Sequence, residues 1–153
     1  FEKLRFTLRP DSRIGLLGWS HGGSSVLWTV RTGIAPKLAE FKTAIAFYPG
    51  CRIMLEERRG WKPRLPLKIL MGSLDDWTPP EPCRDLAAKH NIPMVEYPGA
   101  YHGFDAPNTP ARVLKGLALT AGNNGEAHIG TDPAARAKAI EEVMAALKAA
   151  FAQ

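Results

Sequence analysis

The sequence predicts an α/β fold, a mostly parallel sheet flanked by helices. Three observations carry this. Four short apolar runs alternate with helical patterns along the 153 residues, and such alternation is the pattern of a parallel sheet. Each run is closed by a glycine or a Pro-Gly pair, the residues that end strands. A Gly-x-Ser-x-Gly turn joins the first run directly to a helix. A chain of this length can bury one real core.

The elements follow in order. Residues 1–6 place Phe1, Leu4 and Arg5 on one helical face, as if a helix were already in progress. Arg9-Pro10-Asp11-Ser12 then turns the chain. The chain is therefore expected to begin inside a helix and to lack an N-terminal part. Ile14-Gly15-Leu16-Leu17 is the first strand. The helix after it runs to about Thr32, with Gly33 as its stop and Pro36 beyond. Thr43-Ala44-Ile45-Ala46-Phe47-Tyr48 is the second strand, ended by Pro49-Gly50. Residues 52–66 are polar and irregular, with Trp61 their only large anchor. Leu67-Lys68-Ile69-Leu70-Met71 is the third strand, closed by Gly72.

Thr78 and Glu81 then read as a capping box, with Pro79 at the first helical position. The helix shows Cys83, Leu86, Ala87 and His90 on one face; Asn91 and Pro93 end it. Met94-Val95-Glu96-Tyr97 is the fourth strand. A helix is expected over residues 110–120, then a loop at Gly122-Asn123-Asn124-Gly125. Asp132 and Pro133 start a final helix whose apolar face is Ile140, Val143, Met144, Leu147 and Phe151.

Composition excludes several classes. The chain is 45% apolar and 23% charged, and no apolar run approaches a membrane span. The charge of +5 is scattered, with no basic stripe interleaved with aromatics for nucleic acid. No metal, phosphate-loop or dinucleotide motif occurs, so no cofactor and no metal is expected. Cys51 and Cys83 make no disulfide framework. Free thiols are the default, which favours a reducing, cytoplasmic compartment.

The chemistry centres on Gly18-Trp19-Ser20-His21-Gly22-Gly23. Strand, Gly-x-Ser-x-Gly and helix form the layout of a nucleophile elbow. Gly18 and Gly22 leave room for a strained serine, and Gly23 lets the helix lie close on the strand. The turn presents the Ser20 hydroxyl, and the His21 N–H becomes an oxyanion donor. A serine hydroxyl needs a base, and the base an orienting carboxylate. Ligands of a parallel sheet sit at the carboxyl ends of its strands, where Ser20, Asp75 and His102 all fall. His102 lies in a small-residue loop and is the expected base; His90 and His128 are not so placed. Asp75 is preferred as acid over Asp76, which should face solvent or cap a helix, and over Asp105, which should support the His102 loop. Trp19, Tyr48, Cys51, Trp77 and Phe104 lie beside these loops as candidate substrate contacts or as ordinary core and rim packing.

Three segments together resemble the dienelactone hydrolase family of α/β-hydrolases. They are Arg13-Ile14-Gly15-Leu16-Leu17-Gly18-Trp19-Ser20-His21-Gly22-Gly23, Leu70-Met71-Gly72-Ser73-Leu74-Asp75-Asp76-Trp77-Thr78-Pro79 and Tyr101-His102-Gly103-Phe104-Asp105. The alanine-rich helix after Asp132-Pro133 is a fourth, weaker match. The resemblance implies that residues 1–153 are one α/β-hydrolase domain, its C-terminal portion, with the N-terminal strands of the sheet missing. It implies Ser20 as nucleophile, Asp75 as acid and His102 as base of a hydrolase for a carboxylic ester or lactone. The founding enzymes carry cysteine where this chain has Ser20, and bind a substrate carboxylate through arginines, one of them near the catalytic histidine, where this chain has Gly103-Phe104-Asp105.

Without its neighbours the first strand would be an unpaired edge, so association with a second copy or with a separate N-terminal segment is expected. The resemblance also implies that the missing part carries the loop giving a second oxyanion N–H; its loss, on the order of 100- to 1000-fold in rate, would leave the chain slow on its own. A prolyl-oligopeptidase-type peptidase shares the Gly-Trp-Ser-x-Gly-Gly pattern and the Ser, Asp, His order. A non-catalytic module of the same fold is the reading from another class.

Overall fold

The computed structural model describes residues 13–33, 40–57 and 60–152. The expected helical start at residues 1–6 and the Arg9-Pro10-Asp11-Ser12 turn lie outside them. Four strands form one parallel sheet in sequential order: β1 (Gly15–Trp19), β2 (Thr43–Phe47), β3 (Leu67–Gly72) and β4 (Met94–Tyr97). Gly15 pairs with Thr43, Ala44 with Leu67 and Ile69 with Met94. β2 and β3 are central. Ala44, Ile45, Ala46, Ile69, Leu70 and Met71 are buried, so these strands read as continuous apolar runs rather than alternations.

Helices cover both faces. α1 (His21–Thr29) packs on β1 and β2, and α4 (Pro133–Phe151) packs on β2 from the opposite side. The period of two along β1 sorts its residues between them. A Cβ at Gly18 would come within 2.8 Å of Val26 in α1, whereas one at Gly15 would come within 2.7 Å of Leu147 in α4. α2 (Arg52–Leu55) and α3 (Pro80–His90) complete the main layers. Beyond β4 an antiparallel pair forms from β5 (Arg112–Leu114) and β6 (Ala127–Ile129).

Several expectations need correction. The segment after β2 is not wholly irregular, since it contains α2. Trp61 does anchor it, buried with its Nε1–H donated to the Leu27 carbonyl at 2.9 Å. The capping box does not form. α3 starts at Pro80 with Pro79 at its cap and no side-chain cap bond, because the Thr78 hydroxyl is engaged elsewhere. The helix expected over residues 110–120 is replaced by β5. Gly116 at φ 71° and Leu119 at φ 63° lie in left-handed conformations that a right-handed helix cannot contain.

The apolar face of α4 is also rotated from the expected one. Ala135 and Ala139 are buried, while Ile140 and Met144 are exposed. Small residues let the helix lie close on the sheet, and the bulky pair is turned to its flank. Finally, Cys51 and Cys83 are joined in a disulfide rather than free. The disulfide removes the ground for expecting a reducing compartment. No described helix is long and apolar enough to cross a membrane.

Candidate active site

Everything at the site hangs from the carboxyl ends of the strands. Ser20 follows β1 at once and takes φ 54°, ψ −119°, a costly conformation for a non-glycine residue. The turn is tight enough that a Cβ at Gly18 would strike the Gly22 carbonyl, and one at Gly23 would come within 2.7 Å of the Phe47 carbonyl. Gly22 itself has open space where a Cβ would be, so the steric need expected there is absent. The Ser20 N–H donates to the Phe47 carbonyl at 3.0 Å, which pins the turn to β2. His21 is the first residue of α1, so its N–H has no partner within the helix; its side chain is exposed.

Three side chains meet in a row. His102 Nε2 lies 2.8 Å from Ser20 Oγ, and His102 Nδ1 lies 2.8 Å from Asp75 Oδ2. Asp75 and His102 are buried, at 3% and 4% exposure, so the row is shielded from water except at the serine end. A buried carboxylate needs donors. Asp75 Oδ1 accepts the Trp77 N–H at 3.0 Å and the Thr78 N–H at 2.8 Å, while Oδ2 faces the imidazole. With Asp75 as acceptor, the network assigns the proton to Nδ1 and leaves Nε2 free to accept from Ser20. The Thr78 hydroxyl has one proton and two acceptors in reach, Asp75 Oδ2 at 2.9 Å and the Tyr48 carbonyl at 3.0 Å. Thr78 therefore ties the Asp75 loop to the end of β2, a role hidden in the sequence behind the apparent cap.

A second carboxylate, Asp105, lies on the same loop as His102. Asp105 accepts the Tyr48 hydroxyl at 2.7 Å through Oδ1 and the Trp19 indole N–H at 2.6 Å through Oδ2. The expectation that Asp105 supports the His102 loop matches these contacts. Tyr48 sits at φ 36° with its ring 4.5 Å from that of His102. Burial first, and the Asp105 charge second, push its hydroxyl far above the ordinary tyrosine range, so it stays a donor.

The remaining candidate contacts divide. Trp77 is half-buried with its ring 4.8 Å from His102. Trp19 is 45% exposed but stacks on Phe47 toward α4, where it lines a cleft of about 200 Å³ with Leu17, Ile140 and Met144. Phe104 is fully buried among Phe47, Tyr48 and Tyr97, so it packs the core beneath the site. Cys51 is 2% exposed and disulfide-bonded, which excludes it as a thiol contact. His90 lies against Trp61 with its ring 5.4 Å away, and burial, then the charges of Lys89 and Lys62, hold its pKa below the usual value. Asp76 is partly exposed, as expected, and does not cap α3; it binds His128, with His128 Nδ1 2.7 Å from Asp76 Oδ2. No group of three or more His, Cys, Asp or Glu suited to a metal occurs among the described residues.

The dienelactone hydrolase family model matches residues 4–151. No curated protein matches significantly. Among solved structures, esterase 2 of Thermogutta terrifontis, phosphoramylated by tabun, is 20% identical with a TM-score of 0.55. That match covers 90% of this chain and 55% of the esterase. A puromycin hydrolase mutant complexed with PGG is 16% identical with a TM-score of 0.54, covering 67% of this chain and 20% of that one. The chain thus spans a fifth and about half of these two proteins, and at such identities the likeness is one of fold.

Proposed function

The chain belongs to the dienelactone hydrolase family, and on that premise we propose that it is a serine hydrolase cleaving a carboxylic ester or lactone. The observation that carries the reading is the row from Ser20 through His102 to Asp75, with both separations 2.8 Å. Ser20 Oγ attacks the carbonyl carbon while its proton passes to His102 Nε2. Asp75 holds the Nδ1–H and stabilises the imidazolium. The carbonyl oxygen gains the negative charge and receives the His21 N–H. Collapse breaks the bond to the leaving alkoxide, which takes the proton from His102. Water, deprotonated by the same imidazole, then attacks the acyl-enzyme and releases the acid and Ser20. Trp77 flanks the base and would contact the acyl or alcohol group.

The whole chain is read as one α/β-hydrolase domain. β1 has no neighbour on its outer side among the described residues, and Leu17, Trp19, Ile140 and Met144 leave an apolar flank beside it. We therefore infer that this edge is covered in solution, by a second copy or by a separately chained segment.

The test of the catalytic reading is labelling with a fluorophosphonate probe, the adduct located by mass spectrometry. Ser20 is expected to carry the adduct, and Ser20→Ala to carry none. A wild-type chain that takes no label, under conditions where it is folded, removes the reading. Hydrolysis of an aminoacyl anilide but not of a simple ester would point to peptidase chemistry instead.

A further inference from the structure

Asp76 and Tyr101 occupy matched places: one follows Asp75 directly, the other precedes His102 directly. Both hold the same residue, His128 of β6. Asp76 Oδ1 accepts the His128 N–H at 2.8 Å, and Oδ2 lies 2.7 Å from His128 Nδ1. The Tyr101 and His128 rings stack, with centroids 4.8 Å apart and planes at 23°. The same excursion is tied down on either side of this point. The Ala121 N–H donates to the Asp76 carbonyl at 2.9 Å, and Ile129 forms a parallel bridge with His102. One strand therefore touches the acid loop and the base loop at once.

We propose that Asp76, acting through His128, is a positioning residue that sets the placement of Asp75 against His102. The inference rests on the reading of Ser20, His102 and Asp75 as the reacting row. Exposed polar side-chain pairs add little to global stability, and this one is open, with side-chain exposures of 48% for His128 and 37% for Asp76. Its distinguishing property is its location. Asp75 and His102 sit on loops after different strands, and hydrogen-bonded relays tolerate errors of only about 0.5 Å. A strand clamped to both loops removes their freedom to shift independently. Asp76 supplies the clamp with two acceptors on one rigid carboxylate, one for a backbone donor and one for the imidazole.

The test compares Asp76→Ala, Asp76→Asn and His128→Ala with the wild type in the full chain. Two quantities are read: the rate constant for fluorophosphonate labelling of Ser20, and the low-field proton resonance of His102 Nδ1–H. Asp76→Ala is expected to slow labelling roughly tenfold, as a misplacement well under 1 Å would, and to move the resonance upfield. Asp76→Asn keeps an acceptor for the His128 N–H and is expected to recover labelling to within about twofold. His128→Ala keeps its backbone donor and should fall between them. Equal labelling in Asp76→Ala and wild type overturns the proposal, as does an Asn variant no better than Ala. If the wild type takes no label, the hydrolase reading fails by itself. The resonance still decides the clamp: an unmoved His102 signal in folded Asp76→Ala overturns it.

Discussion

Asp105 stands three residues past His102 and receives two donors from different strands, Trp19 beside Ser20 and Tyr48 beyond β2. It therefore joins the His102 loop to the end of β1. Tyr48 is buried, and its neutral hydroxyl would be orphaned without that carboxylate. An unsatisfied buried hydroxyl costs about 1–3 kcal/mol. Asp105→Ala is thus expected to lower unfolding free energy by about 2 kcal/mol in urea titrations. Adding Tyr48→Phe should recover part of the loss, because the orphan is removed with its partner. Simple addition of the two single losses in the double variant would show that the hydroxyl is not the cause. Of these residues, Asp105 could be read from its place in the loop. The inward turn of Tyr48 could not, since its φ of 36° is a property of how β2 ends against Thr78 and Leu70.

At the scale of elements, the Cys51–Cys83 disulfide ties the chain just past β2 to α3, and so brings together the loop bearing Tyr48 and the helix that follows Thr78. The two cysteines are 32 residues apart. Closing a loop of that length removes unfolded-state entropy worth about 4 kcal/mol on the chain-entropy account. Reduction, or Cys51→Ser with Cys83→Ser, is expected to shift the urea midpoint downward by a corresponding amount. A midpoint indifferent to reductant would mean that the bridge contributes nothing to the fold. The sequence offered no sign of this pairing because 31 intervening residues, including β3, separate the partners. The difference between the helix expected over residues 110–120 and the observed β5 has a similar origin. β5 is a strand only because β6 lies beside it, and local propensity carries no information about a partner 13 residues further on.

At the scale of the whole molecule, the sheet presents β1 on one edge among the described residues, with an apolar cleft between it and α4. An open strand edge beside exposed Trp19, Ile140 and Met144 is a surface that favours association. Sedimentation of the chain alone is expected to show a dimer or larger species. Charge placed on the cleft, as in Met144→Lys, should shift it toward monomer. A clean monomer at micromolar concentration would remove the inference that a second copy covers this edge.

The four strands, the positions of α1, α3 and α4, and the convergence of Ser20, His102 and Asp75 past the carboxyl ends of the strands were legible in the sequence. These follow from local patterns: apolar runs, glycine-bearing turns, and the rule that parallel strands all end on the same side. The disulfide, the β5–β6 pair, the rotated face of α4 and the binding of Asp76 to His128 emerged only from the folded chain. Each of these depends on what lies beside a residue in space. Adjacency between distant segments is set by packing, which no window of sequence contains.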